Sequence, residues 1–427
     1  MPITNKYISN DVELKNHALV EHMIEDQLAH FLLYKTNSNN KEPSDNNIGI
    51  LIENPINQVV AVKGVLNAGY TYVSIDTKLP EHKIKLTIDE AKICTLISEG
   101  KWIKTLNRLQ WDCPSLNNYI CLDVESDIYE IPEVVKNKLM NKNLWEYVGV
   151  HSTDSITAGG WNNSYNGEPF SFEEMEEYGN NALRKLEPYL HENTRVLEIG
   201  CSSGITMFRI APKVEYYFGI DISQAIIEKN ITYINENFIT NIKLDVAEAN
   251  QIDSFYEKDF DIVIINSVIQ CFHGHNYLRK VINKAISKLK DDGVIFLGDI
   301  MDNDCKELLV ASTTDYYNKH HNIKTKYEWD EELFLSKNFF YDLQYDIDSI
   351  MDVLVSNKLY TIENELTKFR YDVLITINKN GRREPKGEKY KNQYCLKDIH
   401  NASLRSLPTT HKKNIQKLIL EEWGKII

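Results

Sequence analysis

Two carboxylates and two glycines at fixed spacing are the residues of this chain best placed to do chemistry. In "RVLEIGCSSGITMFRIAPKVEYYFGIDIS", residues 195–223, Glu198 closes one alternating apolar run. Gly200 and Gly204 then turn the chain, and Asp221 closes the next run. Glycine at such a turn lets the backbone bend sharply and approach a ligand with no Cβ in the way. The spacing is G-x-x-x-G. A dinucleotide fingerprint needs glycine at 202 and 205, where Ser202 and Ile205 stand, and a phosphate loop needs Gly-Lys-Ser/Thr after Gly204. The loop therefore reads as built for a ligand without a pyrophosphate. Asp221, at the tip of the following strand, is placed to accept both hydroxyls of a ribose, and Glu248, after a third run, to receive an adenine amino group. Cys201 and Ser202 in the loop and Ile222 beside Asp221 complete the expected cradle. Together, in this order, these groups fit S-adenosyl-L-methionine.

A second cluster follows a fourth apolar run, in "NSVIQCFHGHNYL" (266–278). Asn266 and Ser267 are placed to orient methionine groups of the cofactor or the substrate. His273 and His275 flank Gly274 and are candidates for a general base. Methyl transfer from a sulfonium is an in-line displacement on an activated carbon, so the protein must mainly align the nucleophile and exclude water. An amine nucleophile must first lose a proton, and a positioned base contributes roughly 10²–10⁴-fold. Cys271, His273 and His275 lack a fourth ligand at useful spacing, so no metal is expected.

The elements that must hold these groups form three zones. In residues 1–145, "NIGILIE" and "YTYVSID" read as strands around a helix "NQVVAVKGVLNAG" that Gly69 ends, a unit of a parallel sheet. In 146–380, Ser171 and Glu174 form a capping box ahead of "FEEMEEYGNNALRKLEPYL". Strands are expected at "RVLEIG", "YYFGID", "IKLDV", "DIVIINS", "GVIFLGD", "DSIMDVLVSN" and "RYDVLITIN", with helices between: a doubly wound α/β sheet. Zone three, 381–427, opens on the charged stretch "NKNGRREPKGEKYKN", read as an exposed hinge, and ends in a short amphipathic tail.

Composition bounds the alternatives. A formal charge of −14 argues against a nucleic-acid surface. No apolar run of membrane-spanning length occurs and the first residues lack a secretory pattern, so neither a membrane nor export is expected. Seven scattered cysteines without a CxxC pair suit a reducing cytoplasm.

"VLEIGCSSG", "GIDIS", "DIVIINSVIQCF" and "GVIFLGDI" resemble the ordered motifs of class I methyltransferases. "GGWNNSYNGEPFSFEEMEEY" (159–178) and "SNKLYTIENELTKFRYDVLI" (356–375) resemble the opening and closing signatures of tailoring methyltransferase domains in nonribosomal peptide synthetases. The flanks "VLNAGYTYVSIDTKLPEHKIKLTIDEAKICTLIS" and "LPTTHKKNIQKLIL" resemble shortened pieces of an adenylation domain, whose final lysine aligns with Asn414, just after Lys412 and Lys413. The resemblance implies a Rossmann-like doubly wound sheet, a smaller adenylation-like N-terminal region and a short C-terminal lobe. It also implies methylation, on nitrogen by preference, of an aminoacyl or peptidyl group carried by a carrier protein of a partner synthetase. Asn364 and Glu365 fall on its acceptor-pocket motif, Tyr371 follows them, and Trp161 and Tyr165 are candidate lid residues. A methyltransferase-derived epimerase, using the histidines and Tyr371, and a docking protein are the alternatives. Most relatives carry glycine where Ser202 stands. The serine costs little if its φ is negative and about 1–2 kcal/mol if the turn is left-handed.

Overall fold

The structure is a computed structural model that describes residues 23–34, 47–134, 136–321, 323–381, 384 and 387–405. The described residues divide into two compact units, one within Met1–Ile131 and Lys391–Ile427, the other within Pro132–Tyr390.

The first unit is a parallel five-stranded sheet. Its strands are β1 (Asn47–Ile50), β2 (Thr71–Ser74), β3 (Thr95–Ser98), β4 (Asn118–Cys121) and a strand at Asn392–Cys395. The last of these pairs with β4, so a piece expected in a separate third zone belongs to the same sheet as the first zone. The order is Asn392–Cys395, β4, β3, β1, β2. The helix Pro55–Asn67 begins at Asn54, whose Oδ1 accepts the Ile56 N–H at 2.9 Å, and is followed by Gly69 at φ 79°, the terminal glycine expected there.

The expected hinge is pinned at its described ends. Lys379 N–H donates to the Asp291 carbonyl at 2.8 Å and Tyr390 N–H to Asp342 Oδ1 at 2.8 Å. Buried Lys391 places its Nζ 2.9 Å from the Leu116 carbonyl. These groups are bonded to protein rather than solvated. The amphipathic tail, with Lys412, Lys413 and Asn414, lies outside the described residues.

The second unit carries a strand at each expected place: β5 (Arg195–Ile199), β6 (Tyr216–Asp221), β7 (Ile242–Val246), β8 (Phe260–Asn266), β9 (Leu289–Met301), β10 (Ile350–Asn357) and β11 (Arg370–Asn378). Their order is β10-β11-β9-β8-β5-β6-β7. Strands β5 to β9 run parallel, whereas β11 enters antiparallel between β9 and β10. Ile262–Ile265 and Val294–Leu297 are apolar without alternation and buried, because helices cover both faces of a central parallel strand. The helix Phe172–Leu186 starts on the expected box: Ser171 Oγ accepts the Glu174 N–H at 3.2 Å and Glu174 Oε2 accepts the Ser171 N–H at 2.9 Å. It lays Ala182 and Leu186 against Val196, Met207 and Tyr217 in the core. From β5 the chain winds outward through β6 and β7, then returns to start β8 on the other side of β5. That reversal opens a crevice at the strands' carboxyl ends, where doubly wound sheets bind ligands.

Candidate active site

The first turn of this crevice is left-handed at three residues: Gly200 (φ 78°), Ser202 (φ 45°) and Gly204 (φ 80°). A Cβ at Gly200 would lie 2.3 Å from Val268 Cγ2, so both space and φ demand glycine. Ser202 holds its strained conformation because both of its backbone groups are anchored. Its N–H donates to Asp221 Oδ2 at 3.0 Å, and its carbonyl accepts from Asn230 Nδ2 at 2.7 Å. Asp221 Oδ1 also takes the Ser223 N–H at 2.9 Å. Burial raises the Asp221 carboxyl above its ordinary value, while the hydrogen bonds from Ser223, Ser202 and Ile222 oppose the rise. The ribose candidate is thus also the group that ties the glycine turn to β6.

A pocket of about 100 Å³ opens at the switch point. Gly200, Ser202, Asp221, Ile222, Glu248, Asn266 and Ser267 all line it, so seven of the expected cofactor residues converge. Asn266 donates through Nδ2 to Thr206 Oγ1 at 3.0 Å, and its buried Oδ1 has no hydrogen-bond partner among the described residues. Among the described residues that line the pocket, two are carboxylates and none is lysine or arginine. Such a lining matches a ligand of hydroxyls, amines and a cationic centre, and offers no counter-charge to a pyrophosphate.

The other three expected residues lie behind the wall. Glu198 is 2 % exposed, accepts the Tyr217 hydroxyl at 2.8 Å, and is pushed up to about 8 by burial. Cys201 is buried against Gly219, where a Cβ would come 3.2 Å from its Sγ. Gly204 faces a separate cavity under the loop.

The acid–base candidates separate. His273 Nδ1 accepts the Asn137 N–H at 3.1 Å and its ring meets Tyr277 edge-on. His275 opens the helix His275–Lys288, buried with its ring against Phe339. Gly274 between them is packed, since a Cβ there would come 2.5 Å from Glu133 Oε1. Neither histidine lines the pocket. Tyr371 is buried in the core, its hydroxyl donated to the Leu335 carbonyl at 2.9 Å, and it too is away from the pocket. Asn364 is a helix cap, accepting the Leu366 N–H at 3.0 Å and donating to Glu174 Oε1 at 2.9 Å, which ties the closing signature to the opening one. Glu365 makes the same tie through Ser164, taking its N–H at 3.0 Å and its hydroxyl at 2.8 Å. Burial raises the Glu365 carboxyl, while the charge of Arg370 and the bonds from Ser164 draw it down. Trp161 lines the pocket, whereas Tyr165 bonds Ser312 Oγ at 2.9 Å and packs on Tyr316.

Sequence reasoning missed the pocket's cover. Met140 and Trp145 line it, and the helix Lys142–His151 that carries Trp145 straddles the expected zone boundary at 145/146. Glu146 on this helix accepts the Ser223 hydroxyl at 3.1 Å and the Ala225 N–H at 3.2 Å. Gly149 lets the helix sit close, as a Cβ there would come 2.9 Å from Ser223 Oγ. The available signal was Asn141, whose Oδ1 accepts the Asn143 N–H at 2.9 Å as a helix cap.

Residues 190–364 match the family model of a methyltransferase domain. With the sheet order and the pocket, this makes the stretch a class I methyltransferase domain, the class whose methyl donor is S-adenosyl-L-methionine. Its curated relatives are peptide synthetases. The chain is 30 % identical over 220 residues to a probable non-canonical nonribosomal peptide synthetase, CymA, of Salinispora arenicola, covering 51 % of this chain and 3 % of that protein. It is 31 % identical over 232 residues to chondramide synthase cmdD of Chondromyces crocatus, covering 52 % of this chain and 6 % of that one. The chain thus spans a small fraction of the curated relatives it matches. Among solved structures, the N-methyltransferase NodS of Bradyrhizobium japonicum, in complex with S-adenosyl-L-homocysteine, aligns at 12 % identity and TM-score 0.38 over 56 % of this chain and 98 % of that one. Among the described residues no helix is long and apolar enough to cross a membrane.

Proposed function

We propose that this chain methylates the amino nitrogen of an aminoacyl or peptidyl group held as a thioester on a carrier protein of a nonribosomal peptide synthetase. The observation that carries the reading is the donor pocket, with Asp221, Glu248 and the Asn266 carbonyl as its acceptors and no basic residue among its described lining. In this reading Asp221 accepts the ribose hydroxyls, Glu248 the adenine amine and Asn266 Oδ1 the ammonium of the methionine moiety. The bound donor supplies an electrophilic methyl group. The protein binds, aligns and excludes water, with Trp145 and Trp161 covering the pocket. The synthetase relatives and the two signatures support the carrier-linked amine. Seven free thiols support a reducing cytoplasm as the working compartment.

For the first unit we propose docking or structural support. Its own switch crevice lies between β1 and β3, and a carboxylate of the chain fills it. Glu99 takes the Glu53 N–H at 2.9 Å and the Asn54 N–H at 3.3 Å at the start of the helix Pro55–Asn67, where a phosphate would otherwise sit.

Isothermal titration with S-adenosyl-L-methionine tests the donor site. We expect micromolar binding that Asp221→Ala weakens at least a hundredfold, since charge-assisted bonds to two hydroxyls and the anchor of the Ser202 turn are lost together. Equal affinity in wild type and variant would sink the assignment.

A further inference from the structure

A second cavity, of about 440 Å³, lies beneath the glycine turn and wholly within the second unit. That volume falls in the range that holds a drug-sized molecule. Ser202 lines the donor pocket, whereas the next two residues, Ser203 and Gly204, line this cavity. Its inner wall is apolar, made by Met175 on the helix Phe172–Leu186, Ile205 after the turn and Ile226 on the helix Gln224–Glu236. Phe208 and Tyr233 form another wall, their ring centroids 4.7 Å apart and the rings tilted by 59°. Phe172, 66 % exposed, adds a third ring. These surfaces suit a ligand with an apolar, ring-sized body.

The charged groups around the cavity are unevenly engaged. Glu176 pairs with Arg209, which also donates to the Ile205 carbonyl at 2.6 Å. Asp154 Oδ1 accepts the Ile156 and Thr157 N–H groups at 2.9 and 2.8 Å, and its Oδ2 accepts the Thr153 hydroxyl at 3.2 Å. Lys229 differs. Its Nζ donates to the Ser152 carbonyl at 2.9 Å and to the Ser152 hydroxyl at 2.8 Å, both uncharged, and no carboxylate among the described residues pairs with it. An ammonium has three N–H donors, so one donor and the whole charge remain. The Ser203 hydroxyl is buried and has no hydrogen-bond partner among the described residues. It can donate and accept at once, as an amide group requires. Both lining carboxylates are engaged and one lining cation is not, so the site favours a monoanion over an ammonium.

We propose that this cavity binds an N-acylated amino acid with an aromatic or branched side chain, as a second ligand that tightens donor binding. Its carboxylate meets Lys229, its side chain packs on Phe208, Tyr233 and Phe172, and its amide bonds the Ser203 hydroxyl. Coupling follows from the turn that the two sites share. Asn230 lines the cavity while its Nδ2 holds the Ser202 carbonyl at 2.7 Å, and Ser203 is the next residue of the same turn. A ligand seated on Ser203 favours the turn as it stands, the form in which Gly200 and Ser202 line the donor pocket. Linkage makes the effect reciprocal: the factor by which the ligand raises donor affinity is the factor by which the donor raises ligand affinity. The inference needs the donor pocket but not the identity of the methyl acceptor.

The test is titration calorimetry of the full chain with N-acetyl-L-phenylalanine, its carboxamide serving as the uncharged control. The acid should bind one to one with a Kd below about 1 mM. It should bind about threefold or more tightly than the carboxamide, the size of an exposed charge pair. Lys229→Met should erase that preference, and Ser203→Ala should weaken the acid about fivefold through the loss of one hydrogen bond. Without the acid, both variants should keep wild-type affinity for S-adenosyl-L-methionine. With the acid saturating, the wild type should bind the donor about fivefold more tightly, and the reverse titration should return the same factor. No binding of the acid, or binding that both variants leave unchanged, overturns the site. Binding that leaves donor affinity unchanged overturns its role as an effector site. Donor affinity that falls in the variants with no acid present would give Lys229 and Ser203 to the donor itself and overturn the proposal.

Discussion

Glu198 is a buried carboxyl that resists ionisation at neutral pH. It sits at the end of β5 with the Tyr217 hydroxyl as its partner, and burial lifts its carboxyl from the ordinary 4.5 to about 8, with Asp221 adding to the rise and Tyr217 opposing it. Below pH 4.5 the folded and unfolded chains both hold the proton and no penalty exists. Between 4.5 and 8 the folded chain keeps a proton that the unfolded chain releases, so stability is lost progressively as pH rises. Above 8 both are ionised and the loss is constant. Each pH unit in that window costs about 1.4 kcal/mol, so at pH 7 the penalty is on the order of 3 kcal/mol. Glu198→Gln keeps the volume, leaves an oxygen for Tyr217 and removes the titration. Urea unfolding of both proteins at pH 5, 6, 7 and 8 checks it. The variant should nearly match wild type at pH 5, exceed it by a few kcal/mol at pH 7, and gain nothing more above 8. A gap that does not change with pH would refute a neutral, buried Glu198.

Ser202→Gly relieves a left-handed residue at about 1–2 kcal/mol but adds unfolded-state freedom of about 0.5–1 kcal/mol, so a net gain of up to about 1.5 kcal/mol and up to about tenfold tighter donor binding are expected. Titration calorimetry reads it, and weaker binding would mean that the serine hydroxyl contacts the donor. Lys358→Met leaves Asp299 and Asp372 each short of a cation 3.0 Å away in a buried cluster, and denaturant melts should show a loss of about 3–5 kcal/mol. An unchanged midpoint would show that Arg370 and Lys185 suffice.

Local patterns carried the fold far. All seven strands of the second unit stand where alternating or continuous apolar runs placed them, and the Ser171–Glu174 box is made as written. The lining of the pocket was equally legible, because the carboxyl ends of neighbouring parallel strands must meet at a switch point whatever the loops do. The buried ion-pair cluster was not. Asp299 and Arg370 are 71 residues apart and Lys185 and Asp372 are 187 apart, and no spacing announces such pairs. His273 and His275 misled because a glycine between histidines reads as a mobile loop, whereas Gly274 is hemmed in by the Glu133 side chain. The φ of Ser202 is set by its anchors on Asp221 and Asn230, which local sequence does not encode. Trp145 escaped notice because a boundary drawn on composition cut its helix in two.

The pairing of Asn392–Cys395 with β4 has a consequence in time. The ribosome releases β4 and then supplies the strand beside it roughly 270 residues later, which at about 5–20 residues per second is some 15–55 s. For that interval β4 presents an open ladder to any strand in reach. The methyltransferase domain emerges during the wait, so the time taken to translate it sets a lower bound on how long the first sheet stays unfinished.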